Sequence, residues 1–182
     1  MKEGNLISLT RRYKKPNYRI FISYMIAKLT KRKGQPIDKV KVHSAIIYKR
    51  DGIFMVREME KDGDSHQTLE DYLIEYKDRV EIKEHPYSFK PEELATFNYL
   101  CRYLKVTYDY RNTFLWQVVK YFTGKFLGKQ TMYSRMCAED FQDQFNVLKY
   151  GYFKTPEITN PNEVHSLVKE WKIIYINNHY VN

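Results

Sequence analysis

The run KVHSAIIYKRDGIFMVREME, residues 41–60, leaves the chain less freedom than any other segment. Two β-rich stretches flank Asp51-Gly52, a dipeptide that readily takes the two positive-φ positions of a tight hairpin turn. A hairpin commits the chain to antiparallel pairing and sorts its side chains by face. His43, Ala45 and Ile47 share one face of the first strand, and Phe54, Val56, Glu58 and Glu60 share one face of the second. A two-residue loop pairs Arg50 with Ile53, so that His43 faces Glu60 and lies diagonal to Glu58. A four-residue loop pairs Tyr48 with Ile53 and sets His43 directly opposite Glu58. Either register brings a carboxylate to the face of His43. An imidazole held by a carboxylate at one nitrogen has the other free to take a proton from a thiol, which is the arrangement of an oriented general base.

Around the hairpin the pattern alternates between strands and helices. NLISL at 5–9 and RVEIKEH at 79–85 read as strands, as does WKIIYINN near the C-terminal end. Residues 20–30 read as a helix that stops before Gly34 and Pro36, and QTLEDYLIEY at 67–76 as a second. A third opens on Pro91, Glu92 and Glu93 and places Leu94, Phe97, Leu100, Cys101 and Leu104 on one face. An apolar-aromatic helix near 113–122, a helix beginning near Cys137 and a loop over TPEITNPNE complete the pass. No repeat or linker divides the 182 residues, so the expectation is a single domain, 1–182, of α+β class: a small, mostly antiparallel sheet packed against helices.

The chain has two cysteines, too few for a disulfide framework and without the spacing of a zinc site. Cys101 falls on the core face of its helix. Cys137 lies in MYSRMCAEDFQDQF, where Ser134 reads as an N-cap and Ala138, Phe141, Phe145 and Leu148 follow at helical spacing. That puts Cys137 in a first helical turn, where unpaired backbone N–H groups and the positive end of the helix dipole favour a thiolate over a thiol. The remaining histidines carry weaker signals: His66 and His85 near turns, His165 in a polar loop-to-helix stretch, and His179 near the end. No pair has metal-ligand spacing, no serine sits in a nucleophile elbow, and GKFLGKQT lacks the Walker spacing, so neither a metal nor a cofactor is expected.

In their order, these parts resemble the circularly permuted papain-like cysteine hydrolases: the YiiX-like amidases and the lecithin:retinol acyltransferase-type proteins of the NlpC superfamily. Six stretches over about 140 residues carry the resemblance: GNLISL, ISYMIAKLTK, KVHSAIIY, FMVREME, TYDYRNTF and MYSRMCAEDF. The resemblance implies a permuted papain-like fold and a cysteine peptidase or amidase with Cys137 as nucleophile, His43 as base and Glu58 as the third member, Glu60 being the alternative. The Cys137 backbone N–H would supply one oxyanion donor and the Tyr108 hydroxyl a second. Asn5 stands where the family has Asp, Val42 where a Ser often precedes the His, and Ala138 where a Ser follows the Cys. These departures touch the substrate pocket and leave each catalytic group in place. The substrate class implied is a peptide, an N-acyl amide or a lipid-like ester.

The net charge of +9 belongs to one segment. Residues 4–37 hold Arg11, Arg12, Lys14, Lys15, Arg19, Lys28, Lys31, Arg32 and Lys33 and no acid, and the rest of the chain is balanced. These charges bracket the apolar run 20–29, which is the layout of a helix lying on an anionic membrane or of a buried helix with solvated flanks. The first reading makes residues 11–33 a weak contact with an anionic surface and the protein a lipid acyltransferase or lipase of the same fold. A third reading is a basic module that stacks single-stranded nucleic acid on its 17 Tyr, 10 Phe and 2 Trp. The dispersal of those aromatics away from the basic cluster speaks against it. With no apolar leader after Lys2 and no apolar run near 20 residues, the expected location is the cytoplasm.

Overall fold

A computed structural model describes residues 1–10, 24–25, 27–60, 62–109, 115, 117–125, 134–154 and 159–181. Its strands are β1 (Leu6–Thr10), β2 (Lys41–Arg50), β3 (Ile53–Glu60), β4 (Gly63–Thr68), β5 (Val80–Glu84), β6 (Thr107–Tyr108), β7 (Ser134–Arg135), β8 (Lys172–Ile176) and β9 (His179–Tyr180). Among the described residues, after the helical residues 24–25 and 27–30 and a 3-10 turn at Ile37–Lys39, the helices in chain order are α1 (Leu69–Tyr76), α2 (Pro91–Tyr103), α3 (Gln117–Thr123), α4 (Cys137–Leu148) and α5 (Pro161–Leu167). The class is α+β. Seven strands form one antiparallel sheet in the order β4-β3-β2-β1-β5-β8-β9, and β6 and β7 pair in parallel beside it.

The hairpin forms with the two-residue loop. Arg50 pairs with Ile53, and Asp51 and Gly52 take φ of 52° and 82°, the twist that lets two adjacent strands continue without splaying. The β2–β3 ladder then runs only as far as Ala45 opposite Glu58. Beyond it His43 is paired on its other side, with Leu9 of β1, next to a register shift between Leu9 and Thr10. The ring therefore sits where the sheet opens, beside β3 but past the end of its pairing.

Each face of the sheet buries its own apolar layer. On one side Leu6, Ile46 and Tyr48 meet Phe97 and Cys101 of α2, Ala138, Phe141, Phe145 and Leu148 of α4, Val164 of α5, and Trp171. On the other, Ile7, Ala45, Ile47, Val56, Val80 and Ile82 meet Leu69 and Tyr72 of α1. Phe141 and Phe145 are almost wholly buried, so Phe145→Ala should cost about 3–5 kcal/mol by leaving a cavity.

Two expectations need correction, and one strand is not anticipated by the sequence. Ser134 does not cap the cysteine helix. It is held in β7 opposite Thr107, the parallel ladder continues with the Asp109 N–H donating to the Arg135 carbonyl, and Met136 takes the N-cap position. The stretch TPEITNPNE is not loop throughout, because Asn160 and Glu163 exchange side chain-to-backbone bonds of 3.0 Å each and start α5, a capping box with Pro161 following. The polar run GDSHQT is a strand, β4, brought in by the tight turn that sets Glu60 opposite Gly63. Of the helix expected over 20–30, residues 24–25 and 27–30 are helical, with Ala27 buried against Val40 and Val42. Residues 11–23 and 26 lie outside the described residues, as do 110–114 and 116 of the helix expected near 113–122. No helix among the described residues is long and apolar enough to cross a membrane.

Candidate active site

Strand β3 builds the site with two adjacent side chains that point to opposite faces. Arg57 is fully buried on the α4 side. Its Nε and Nη2 donate to the Asp140 carboxylate at 3.1 and 3.2 Å, and Nη1 donates to the carbonyls of Cys101 and Leu104 at 2.9 and 2.8 Å. Asp140 is three residues after Cys137, on the same turn of α4. The guanidinium thus clamps the start of the cysteine helix against the sheet while closing the C-terminal end of α2.

Glu58, the next residue, is buried on the α1 side. Its Oε2 lies 2.7 Å from His43 Nε2 and accepts from the Tyr72 hydroxyl at 3.1 Å. With Nε2 committed to Glu58, the nitrogen left for the thiol is Nδ1, and His43 and Cys137 interact through both a side-chain hydrogen bond and charge. Burial alone would lower the proton affinity of this ring, but the Cys137 sulfur and then Glu58 outweigh it and raise the pKa to about 10. A proton held that tightly leaves the ring an imidazolium at neutral pH, standing between Cys137 and the Glu58 carboxylate. Cys137 is the first residue of α4, where backbone N–H groups have no carbonyl within the helix to bond.

Of the expected site residues, the structure brings Cys137, His43 and Glu58 together. Glu60 is exposed at the turn into β4, because the ladder ends before it and the chain has already begun to reverse. Tyr108 is half-buried and packs on the cluster of Met59, Val106 and Cys137. That strand is tied down through Asp64, which exchanges 3.3 Å bonds with the Val106 backbone.

The sequence gives no signal for Tyr72, Arg57 or Asp140. All three act through partners distant in the chain, and an Arg or Tyr in a strand or short helix has no pattern of its own. The other histidines serve elsewhere. His66 donates from Nε2 to Asp64 at 2.9 Å and meets the Tyr48 hydroxyl at Nδ1. His165 is bound to Glu81. His85 is buried among Phe89, Phe145 and Trp171 and donates to the Glu3 carbonyl. Cys101, wholly buried, has its thiol pushed well above the usual range by that burial.

Neither the protein-family models nor the curated proteins contain a match to this chain.

Proposed function

We propose that this protein is a cysteine-dependent hydrolase of amide, peptide or related acyl bonds, built on a permuted papain-like fold. The observation that carries the reading is His43 held between Cys137 and Glu58, with the 2.7 Å bond at Nε2 fixing which ring nitrogen faces the sulfur. The chemistry follows from those positions. Cys137 Sγ attacks the carbonyl carbon, and the C=O π pair moves onto oxygen, where the first-turn N–H of Cys137 and the Tyr108 hydroxyl stabilise it. As the tetrahedral species collapses, the C–N bond breaks and the leaving nitrogen takes the proton from His43, giving a thioester and a free amine. His43, now neutral, takes a proton from water. The hydroxide adds to the thioester, the C–S bond breaks, and a carboxylic acid leaves with Cys137 restored as the partner of His43.

The test is selective alkylation. Iodoacetamide at pH 7 should label Cys137 quickly and leave Cys101 unlabelled, and acyl-fluorophore amides and thioesters should then show turnover that is lost in Cys137→Ala. Equal, slow labelling of both cysteines would remove the nucleophile. Transfer of the acyl group to an added alcohol or amine in preference to water would keep the site and make the protein an acyltransferase.

A further inference from the structure

We propose that Tyr72 is a fourth member of this site, a positioning residue that acts through Glu58 to hold its carboxylate on Nε2 of His43. The inference rests on the hydrolase reading above, since it concerns the same thiol and imidazole.

The Tyr72 side chain is fully buried. Helix α1 begins directly at the end of β4. Thr68 is both the last residue of that strand and the N-cap, accepting from the Asp71 N–H at 3.1 Å. With no loop between the two elements, the rotation of the helix about its axis is set by the strand, and Leu69 and Tyr72, three apart, turn to the sheet. The Tyr72 ring is fully buried among Ala45, Ile47, Val56 and Val80. Its hydroxyl donates to Glu58 Oε2, the same oxygen that holds His43.

Two donors on one oxygen share its charge. Glu58 is almost fully buried, so those two donors supply the hydrogen bonds that water would otherwise give its carboxylate. Removing the hydroxyl leaves Oε2 with the imidazole as its remaining partner and lets the carboxylate turn away from His43, which weakens its hold on the imidazolium. Burial, reinforced by the charge on Glu58, holds the Tyr72 phenol well above its ordinary pKa, so it remains a donor wherever the protein is folded. The charged and titratable groups around this carboxylate are His43 and, beyond it, Cys137, with Tyr72, Tyr76 and Glu75 of α1, Arg79, and Glu60 of β3.

The experiment is the pH dependence of Cys137 alkylation by iodoacetamide, read on the Cys137 peptide by mass spectrometry. In Tyr72→Phe the acid limb should move up by about one pH unit, the scale of one hydrogen bond to a charged group. In Glu58→Gln the further change Tyr72→Phe should move it no more. A limb unmoved by Tyr72→Phe, or moved equally with Gln at position 58, would overturn the proposal and leave Tyr72 a packing residue. Should Tyr72→Phe fail to fold, 3-fluorotyrosine introduced at position 72 offers a more acidic phenol and should move the limb down. His43→Ala separates the two readings. If it leaves Cys137 alkylation unchanged, the hydrolase reading fails by itself and this proposal goes with it. If it slows alkylation while Tyr72→Phe does nothing, only the role of Tyr72 is lost.

Discussion

His43 meets Glu58 through Nε2 at 2.7 Å, and His165 meets Glu81 through Nε2 at 2.5 Å. The two rings are about equally exposed, at 20% and 23%, and both carboxylates are buried. Their proton affinities nevertheless go in opposite directions. His43 is raised to about 10, against the pull of burial, by Cys137 and Glu58. His165 is lowered, because burial together with the charges of Lys41 and Lys83 outweighs what Glu81 contributes. The third group makes the difference. Lys41 Nζ sits 2.7 Å from Glu81 and neutralises it, whereas the second donor on Glu58 is the uncharged Tyr72 hydroxyl and the other neighbour of the ring is a sulfur. A carboxylate orients a histidine, and what stands beyond the pair decides the charge it carries.

The largest way to break this contrast is to remove the sulfur. Cys137→Ala should abolish all thiol-dependent turnover and lower the His43 midpoint by roughly two pH units or more, leaving His165 unchanged. A His43 midpoint unaffected by the change would mean that the sulfur does not set its charge.

Exchanging the carboxylates comes next. Glu81→Gln strands the buried Lys41 charge and should cost about 3–5 kcal/mol in a denaturant titration, with the alkylation rate of Cys137 unchanged. Glu58→Gln should slow that alkylation roughly tenfold or more. Equal effects of the two changes on Cys137 would erase the distinction between the pairs.

A smaller effect separates Glu81 from Glu139, a third buried glutamate. Hydrogen bonds and charge from His165 and Lys41 overcome burial and bring Glu81 down to about 2. Its folded value is below its unfolded one, so its stabilisation is present above about pH 4.5 and is lost as pH falls toward 2. Glu139 accepts from the Met136 N–H at 3.2 Å, while its Oε1 is buried without a hydrogen-bond partner among the described residues. Burial, with Asp143 and Asp109 adding to it, raises Glu139 to about 7 against the opposing pull of the Met136 N–H and Arg135. Its contribution is full below about pH 4.5 and is lost as pH rises through 7. Glu139→Gln should flatten that decline, making the variant about 2–3 kcal/mol more stable than the parent at pH 8. Parallel stability curves between pH 4.5 and 8 would show that Glu139 does not titrate there.

The contrast also separates what the sequence makes legible from what it does not. Asp51-Gly52 announces the hairpin, and its two-residue loop places Glu58 diagonal to His43, so both members of the pair can be read from local pattern. Choosing Glu58 over Glu60 needs the end of the β2–β3 ladder at Ala45, which depends on the register shift between β1 and β2 beside His43 and on the turn into β4. Strand β4 carries too little apolar alternation to declare itself, because it is made by its pairing with β3. Ser134 has the chemistry of a cap, but pairing with β6 outcompetes that local preference. Arg57, Asp140, Tyr72 and the Lys41–Glu81–His165 cluster join residues 40 to more than 80 positions apart or cross from strand to helix. Among the described residues a histidine meets a carboxylate three times, at His43, His66 and His165, and only the folded structure puts a sulfur next to one of them.

The central claim is that His43 carries a positive charge at neutral pH because it stands between Cys137 and Glu58. Ring nitrogen NMR shifts of the five histidines at pH 8 test it directly. The account predicts that His43 is doubly protonated in the native protein and becomes neutral in Cys137→Ala, with His165 neutral in both. A His43 ring that is already neutral at pH 8, titrating near the unperturbed value of about 6.5, would contradict it.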